Sequence, residues 1–414
     1  MHIFKHPIAI FLIVVLVCLG SLKININATV DKSRNNHYAH SSDSVMTIGL
    51  VWPESSETTE KQYTFAAGAQ YAVDNFLRAN QMKGICKGIR LKTINEGHPQ
   101  QDNLDDSLKS ALNDPTLAAL LGCVSSVDTQ RAAIASANRN VLVITPMATW
   151  PSLTKHGFEN LIRLTPDDVD TAHILGRFVK SRGYKRIGII YSMLPHGNSV
   201  VPLIVEELTK QKVPVTFMHA YAPNMQPTYP DVLDIIGPLL RRDGDIDALF
   251  MIDDLSASPS MLIYLRKAGV KVPIMGSDSL DFPEIWKTAG RAAEGICFVS
   301  TRSTLACNSP IGQLYMRVVE RADRHRISID EFAHYGFLSG YETMNLYLSA
   351  VKESGSFYPK KLGIVLRNKT WDSLQGKMSF TADGDAVGRN LYVNEIVGGH
   401  PQVVMSEIAH KEEE

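Results

Sequence analysis

Residues 117–145, LAALLGCVSSVDTQRAAIASANRNVLVIT, are the stretch that decides the fold. An apolar run at 117–122 is followed by a polar turn, a helix-forming segment at 128–138 and a second apolar run at 141–145. The two runs have the length of strands, and the segment between them is long enough for a helix. A strand, a helix and a second strand in this order predict a βαβ unit of a parallel sheet.

The same alternation extends in both directions from this stretch. Strands are predicted at 46–52 and 90–96, before it. After it the pattern restarts, with strands at 186–191, 213–220, 248–252 and 273–276 separated by helices. Two doubly wound sheets are too much for one core, so we expect two lobes. Residues 302–367 are mostly helical and lack strands for a third sheet, so they must pack back on one of the lobes.

Composition and charge exclude several classes of function. The chain has 414 residues, 44% of them hydrophobic, and a formal net charge of −1. A chain so close to neutral is not expected to bind nucleic acid or an anionic membrane through its overall field. It contains none of the GxSxG, HExxH, Walker or GxGxxG patterns, and no cluster with metal-ligand spacing. We therefore expect neither catalytic residues, nor a cofactor, nor a metal.

The N-terminus has the pattern of a secretory signal peptide at 1–28. His2 and Lys5 precede an apolar run at 8–20, and Ala28 ends a possible cleavage site. The alternatives are an uncleaved anchor and a lipoprotein box at Cys18. The polar segment 29–44 is predicted to be a disordered leader. Export permits disulfides, and Cys297 and Cys307 are the favoured pair because they are close in sequence.

Two loops of the first lobe carry groups that suit a carboxylate. In open parallel sheets, ligands bind beyond the carboxyl ends of the strands. Ser126 follows one such strand end, and the segment from Thr145 to Thr149 follows another. Hydroxyls and N–H groups at helix starts can hold an anion. The alternative is that Ser126 and Asp128 only cap a helix.

The strand ends of the second lobe carry acids instead. Asp253 and Asp254 follow one predicted strand, and Asp278 and Asp281 follow another. A carboxylate there can pair with a ligand ammonium inside a closed cleft. Here too the alternative is helix capping.

Several motifs together resemble a known family. They are GCVSSVDTQ at 122–130, VITPMAT at 143–149, IRLTP at 162–166, LRKAG at 265–269, MGSD at 275–278, Gly340-Tyr341 and GKMSFTADG at 376–384. In their order and spacing the chain resembles the leucine/isoleucine/valine-binding protein family, the type I periplasmic solute receptors of ABC transporters. The likeness covers about residues 45–408.

The resemblance implies an α/β fold of two Rossmann-like lobes that are joined by a three-stranded hinge and close on a ligand. The crossings between lobes should fall near 163–166, 299–304 and 376–380. The first lobe would then comprise 45–164 and 302–377, and the second 165–301 and 378–408, followed by a tail at 409–414.

The resemblance also implies roles for individual residues. Ser126 matches the serine that holds the ligand carboxylate, and Met147, Ala148 and Thr149 match the segment that binds the same group. Asp278 matches an acid that binds the α-ammonium.

The chain also departs from the family around the side-chain pocket. Lys61, His196 and Asp254 stand where the family has tyrosines, and an aromatic residue falls near 335–337. The change favours a more polar ligand, including one with a second cationic group. Trp52 and Trp150 follow strand ends and could form aromatic walls or simply pack within a lobe.

The function implied is that of a non-enzymatic, monomeric, periplasmic component of an ABC importer, which binds an amino-acid-like, amine or amide ligand and presents it to a membrane permease. The main alternative is a periplasmic sensor of the same fold that signals to a regulator or sensor kinase. A purely structural protein, a third hypothesis, would have a dry, filled cleft.

Overall fold

The computed structural model describes residues 38, 41–53, 65–79, 81–96, 104–223, 226–240, 246–253, 257–301, 313 and 335–409. The predicted signal peptide and the segment 410–414 lie outside them. Across the described ranges, no helix combines the length and apolarity needed to cross a membrane.

A five-stranded parallel sheet forms the first lobe. Its strands are β1 (Val45–Trp52), β2 (Gly88–Asn95), β3 (Leu117–Gly122), β4 (Leu142–Thr145) and β5 (Leu161–Arg163), in the spatial order β2-β1-β3-β4-β5. The helices between them are α1 (Phe65–Arg78), α2 (Leu104–Leu112) and α3 (Ser126–Ala137). β1 pairs with β3 and β3 with β4, so their carboxyl ends lie side by side. The loops predicted to bind the ligand start from this edge.

A seven-stranded sheet forms the second lobe. Its strands are β6 (Ile187–Ser192), β7 (Val215–Tyr221), β8 (Ala248–Ile252), β9 (Ile274–Gly276), β10 (Cys297–Ser300), β14 (Asn390–Val397) and β15 (His400–Ile408), in the order β15-β14-β10-β9-β8-β6-β7. Its helices are α4 (Asp168–Ser181), α5 (Pro195–Lys210), α6 (Tyr229–Leu240), α7 (Ser258–Lys267) and α8 (Pro283–Ala289). β14 and β15 form an antiparallel hairpin that extends the parallel sheet. The predicted α/β architecture of two lobes is therefore present.

The helices after the second lobe return to the first. They are α9 (Tyr335–Ser354) and α10 (Pro359–Arg367). Tyr347 and Val351 of α9 are fully buried in one cluster with Met46 and Ile48 of β1. On the facing side, α1 buries residues at helical spacing, among them Phe65, Ala69, Ala72, Val73 and Phe76. The prediction that the late helices pack back on a lobe is correct for this segment.

The third crossing between the lobes comes later than expected. A small sheet of β11 (Trp371–Ser373), β12 (Gly376–Phe380) and β13 (Ala386–Val387) follows α10. Met378, Phe380 and Ala386 are buried in the core of the first lobe. Because β14 already belongs to the second sheet, the chain crosses at 388–389, and residues 378–387 belong with the first lobe rather than the second. Arg389 marks the crossing, since its guanidinium binds the Glu342 carboxylate of α9 at 2.6 Å.

The predicted leader is ordered in part. Tyr38 is buried, and its hydroxyl lies 2.5 Å from the Asn140 carbonyl oxygen and 3.2 Å from that of Leu117. Its ring also meets Tyr358 edge-on at 6.0 Å. Residues Ser41–Asp43 form a short 3₁₀ turn before β1. The expectation of disorder throughout 29–44 is therefore wrong at these residues.

Replacing Tyr38 with phenylalanine is expected to lower the free energy of unfolding by about 1 kcal/mol, because it leaves a carbonyl group without its hydrogen bond. Tyr71→Phe is the matched control, since the ring of Tyr71 packs on Phe337 and Tyr341 and those contacts are kept. Urea denaturation of both variants provides the comparison. Equal stability of the two would show that the Tyr38 hydroxyl does not anchor the leader.

The cysteines that the structure describes are Cys86, Cys123 and Cys297, and all three are buried free thiols. Cys307, the predicted disulfide partner of Cys297, lies outside the described residues, so this pairing stays a prediction. Burial raises the pKa of the Cys297 thiol to about 12, which keeps it protonated and unreactive at neutral pH.

Candidate ligand-binding site

The loops after β3 and β4 are joined through Ser126. The N-cap of α3 is Ser125, whose hydroxyl accepts the N–H of Asp128 at 3.0 Å. Ser126 is thus the first residue of the helix rather than its cap. Its hydroxyl oxygen accepts the backbone N–H of Trp150 at 3.1 Å. The two loops that the sequence assigned to a carboxylate therefore meet, and the proton of the Ser126 hydroxyl stays available to another acceptor.

Unusual backbone angles turn the chain sharply between β3 and α3. Gly122 and Cys123 have φ values of 122° and 65°, in the left-handed region. A Cβ atom at Gly122 would collide with the Val51 carbonyl oxygen, and the Cys123 N–H donates to the same oxygen at 2.8 Å. Only glycine fits this position without strain. The turn places Ser126 directly beyond the end of β3.

Thr145 holds the loop after β4 in place. Its hydroxyl donates to the Cys123 carbonyl oxygen at 3.1 Å and accepts the N–H of Ala148 at 3.1 Å. The N–H of Met147 also lies 3.4 Å from this hydroxyl. Met147 and Ala148 were predicted to offer backbone N–H groups to the ligand, but here both N–H groups bind Thr145. The hydroxyls of Ser126 and Thr149 are the remaining side-chain donors of this segment.

Glu96 is a buried acid that the sequence did not single out. Directly after β2, its carboxylate accepts the N–H groups of Val124 at 2.8 Å and Ser125 at 2.9 Å. The pKa of Glu96 is raised to about 7 in total: burial is the main cause, these two hydrogen bonds oppose it, and the nearby Asp128 adds to it. Glu96 therefore fills N–H groups expected to be open to a ligand, and it fixes the turn that leads to Ser126.

The second lobe contributes a pair of His196 and Asp278. His196 lies in the first turn of α5, and its Nε2 atom is 2.8 Å from the Ser277 hydroxyl and 3.7 Å from Asp278 Oδ1. Ser277 ends the loop after β9 and caps the short turn that begins at Asp278. The predicted residues His196 and Asp278 are thus brought together at the carboxyl ends of β6 and β9.

Helix capping does not account for these acids. The N-cap of α8 is Phe282, which makes no side-chain capping bond. Asp281 instead accepts a hydrogen bond from the Ser300 hydroxyl at 2.6 Å, in the interior. Asp278 begins its own short turn and leaves its Oδ1 atom buried without a hydrogen bond in the described part of the chain. The capping alternative therefore fails for Asp278 and Asp281.

Asp168 is the acid at which the two lobes meet. It is the first residue of α4, 1% exposed, directly after the first crossing. Its N–H donates to the Thr149 carbonyl oxygen at 2.9 Å, and its Oδ2 atom accepts the Ser199 hydroxyl at 2.7 Å. Its Oδ1 atom is buried and makes no hydrogen bond among the described residues.

Charge interactions connect Asp168 with the pair in the second lobe. The pKa of Asp168 is raised from 3.8 to about 6 in total. Burial is the main cause; His196 lowers the pKa, Asp278 raises it, and the hydroxyls of Ser199 and Thr149 lower it. From the sequence alone, Asp168 is one of several acids at the start of a helix. Asp167 caps α4 in a capping box with Asp170. An acid directly after a lobe crossing is the signal that could have pointed to it.

The aromatic residues predicted near the site have separate surroundings. Trp52 stacks on Phe65, with ring centroids 4.6 Å apart, so it packs within the first lobe. Trp150 is half-buried and fixed by its backbone, since its N–H binds Ser126 and its carbonyl oxygen accepts from Arg163 at 2.7 Å. Near 335–337, the ring of Phe337 packs against Tyr71. Lys61 and Asp254 lie outside the described residues.

This arrangement is suited to binding rather than to covalent chemistry. Ser277 contacts a histidine as a nucleophile would, but it is fully buried and its oxygen accepts the N–H of Ser279 at 3.3 Å. No group of acids, histidines and cysteines in the described segments could hold a metal ion. What remains is a hydroxyl pole at Ser126 and an acidic pole at Asp168 and Asp278, with the Thr149 hydroxyl beside Asp168.

Fold and site together define a two-lobed solute-binding protein. The family model described as periplasmic binding protein matches residues 45–401. The chain belongs to this family. It is a solute-binding protein and not an enzyme, and its predicted resemblance to the leucine/isoleucine/valine-binding proteins is confirmed.

Two curated relatives show how distant the similarity is. The Leu/Ile/Val-binding protein of Citrobacter freundii is 21% identical over 77% of this chain and 85% of its own length. A leucine-, isoleucine-, valine-, threonine- and alanine-binding protein of Pseudomonas aeruginosa is 22% identical over 84% of this chain and 88% of its own.

Solved structures share the fold at still lower identity. A leucine-binding protein from Thermotoga maritima has a TM-score of 0.71 at 17% identity, covering 88% of this chain and 99% of its own. A solute-binding protein from R. palustris, in complex with benzoate, has a TM-score of 0.72 at 17% identity, covering 89% and 98%. Proteins with this fold thus include a leucine-binding protein and a protein solved with benzoate, an aromatic acid without an amino group.

Proposed function

We propose that this chain is the exported, periplasmic solute-binding component of an ABC importer, and that its ligand carries a primary amino group next to a carboxylate or another polar acceptor. The observation that carries the proposal is the pair of buried Oδ1 atoms of Asp168 and Asp278, both without a hydrogen bond among the described residues. Leaving a buried carboxylate oxygen without a hydrogen-bond donor costs free energy. An ammonium group would supply a donor to each of these two oxygen atoms.

A primary amino group is favoured over other cations because of the number of its N–H donors. An ammonium has three N–H donors, enough for Asp168 Oδ1, Asp278 Oδ1 and one further acceptor. His196, 3.7 Å from Asp278 Oδ1, is the other described group of this pole that can carry positive charge. An anionic ligand such as benzoate would meet two carboxylates here, and the single histidine could not compensate both of them.

The other end of the ligand would lie at the hydroxyl pole. Ser126 accepts the Trp150 N–H, so its own proton can be donated to a ligand oxygen. Thr149 lies beside Asp168 and could contact both ends of a short molecule such as an α-amino acid. We propose that the ligand bridges the poles and that the lobes close over it by bending at the crossings.

The side-chain pocket sets this protein apart from its relatives. His196 stands where the family has a tyrosine, and it faces Asp278 and Ser277 rather than an apolar surface. Asp254 belongs to the same proposed pocket, on the basis of sequence alone. We therefore propose a ligand more polar than leucine or valine.

A thermal-shift panel of amino acids, amines, amides and aromatic carboxylates tests this proposal. At least one compound with a primary amine should raise the melting temperature, since saturation at about 100 times the dissociation constant stabilises by about 2.7 kcal/mol. Asp278→Asn should lower the affinity for that compound about 30-fold, as for a lost charge-assisted contact. Asp372→Asn, an exposed acid paired with Lys377, is the control and should change nothing. Stabilisation by aromatic carboxylates alone would contradict the amine assignment.

Uptake measurements separate import from sensing. Cells that lack the gene should lose uptake of the stabilising compound and regain it when the gene is restored. If uptake persists and only a transcriptional response to the compound is lost, the sensor alternative is correct.

A further inference from the structure

Among the described residues, Arg163 is the largest side chain that is fully buried, and it lies at the end of β5, where the first crossing begins. Its guanidinium donates to Asp385 Oδ1 through Nε at 3.0 Å and Nη2 at 2.6 Å. It also donates to the Trp150 carbonyl oxygen at 2.7 Å and to Asp167 Oδ2 at 3.4 Å. One side chain thus contacts three separate segments.

Each of these segments leads to the site or to a crossing. The Trp150 peptide binds Ser126 through its N–H and Arg163 through its carbonyl oxygen. Asp167 caps α4, and the next residue is Asp168. Asp385 lies just before β13 and the third crossing, and the Arg163 N–H pairs there with the Gly384 carbonyl oxygen at 2.9 Å.

Asp385 makes Arg163 difficult to rearrange. It is 2% exposed and also accepts the Thr154 hydroxyl at 2.9 Å and the Lys155 ammonium at 3.2 Å. Burial alone would raise the pKa of Asp385, but Arg163, Thr154 and Lys155 together lower it. Moving Arg163 away would leave a buried carboxylate without its main partner, which is strongly unfavourable.

We propose that Arg163 is a positioning residue. Through the Trp150 peptide, which binds Ser126, it fixes the hydroxyl pole of the site to the first and third crossings. The role of this pole in ligand binding rests on the proposed function. Because the guanidinium is a rigid planar fork, its bonds to Asp385 and Trp150 set one orientation of the loop after β4. Asp167, at 3.4 Å the longest of its contacts, belongs to the cap of α4 in the second lobe.

Hydrogen exchange of the ligand-free, full-length protein, measured by mass spectrometry, tests the proposal. Arg163→Lys keeps the charge but loses the fork, and should speed exchange about three-fold or more in peptides covering 147–150 and 164–170. Strands β1 and β8 should exchange as before. Arg266→Lys is the matched control, because Arg266 is half-buried and binds the Val270 and Val272 carbonyl oxygens within the second lobe.

A second variant guards against misfolding of the first. Asp385→Asn keeps the size of the side chain and should speed exchange in the same two segments to a smaller extent. Unchanged exchange at 147–150 in both variants, or faster exchange throughout both lobes, would overturn the positioning role. Because no ligand is added, the outcome does not depend on whether the amine assignment is correct.

Discussion

Replacing Gly340 with alanine is expected to destabilise the protein by about 3 kcal/mol or more. Gly340 of α9 faces α1, and a Cβ atom at this position would overlap the carbonyl oxygen of Phe65. Gly68 of α1 shows the reciprocal contact, with the carbonyl oxygen of Phe337. Backbone cannot move aside as a side chain can, so the two helices must separate. Overpacking in a dense core costs about 1–3 kcal/mol, and a clash with backbone is at the upper end or beyond.

The matched control is Gly363→Ala in α10. There the nearest atom to a new Cβ is the end of the flexible Arg367 side chain at 3.0 Å, which can shift. Since alanine is the better helix former, this change should be within about 1 kcal/mol of neutral. Urea denaturation of both variants gives the comparison. A Gly340→Ala protein as stable as Gly363→Ala would show that α1 and α9 do not depend on close backbone contact.

Most of the fold could be predicted from local sequence patterns. Strand and helix order could be predicted because apolar runs and amphipathic segments alternate strictly, as at 117–145. The third crossing was misplaced because β12 and β13 are short and carry few apolar residues. Their assignment depends on which core receives Met378 and Phe380, and that is a tertiary property. Tyr38 was missed for the same reason, since its polar neighbours in sequence hide one buried ring.

The residues of the candidate site could be predicted where they follow strand ends. They could not be predicted where their role depends on burial. Ser126, Thr149 and Asp278 were predicted because each follows a parallel strand, and His196 was predicted from the family resemblance. Glu96 also follows a strand, but only the structure shows that it fills the N–H groups of Val124 and Ser125. Asp168 looks like any acid in the first turn of a helix, and its importance lies in what surrounds it.

Replacing Asp168 with asparagine is expected to weaken binding of an amine ligand by about 2 kcal/mol or more, which is about 30-fold in the dissociation constant. The asparagine keeps the size of the side chain and can keep the bond from Ser199, so the loss reports the charge on Oδ1. Titration calorimetry with the compound found in the panel measures the effect. Asp372→Asn is the control, because this exposed acid pairs with Lys377 and its change should leave the affinity unaltered.

The same residue predicts how affinity varies with pH. The pKa of Asp168 is raised to about 6, and an ammonium binds the ionised form. Well above pH 6 the carboxylate is ionised and the affinity is at its full value. As the pH falls through 6, a growing fraction of Asp168 holds a proton that must leave before the ammonium binds, so affinity falls. Because His196 lies next to Asp278, the measurement is repeated in a His196→Gln background, which removes any contribution of the histidine. In that background affinity should still fall between pH 7 and pH 5, and adding Asp168→Asn should remove most of the fall; an unaltered profile would show that Asp168 does not bind the amine.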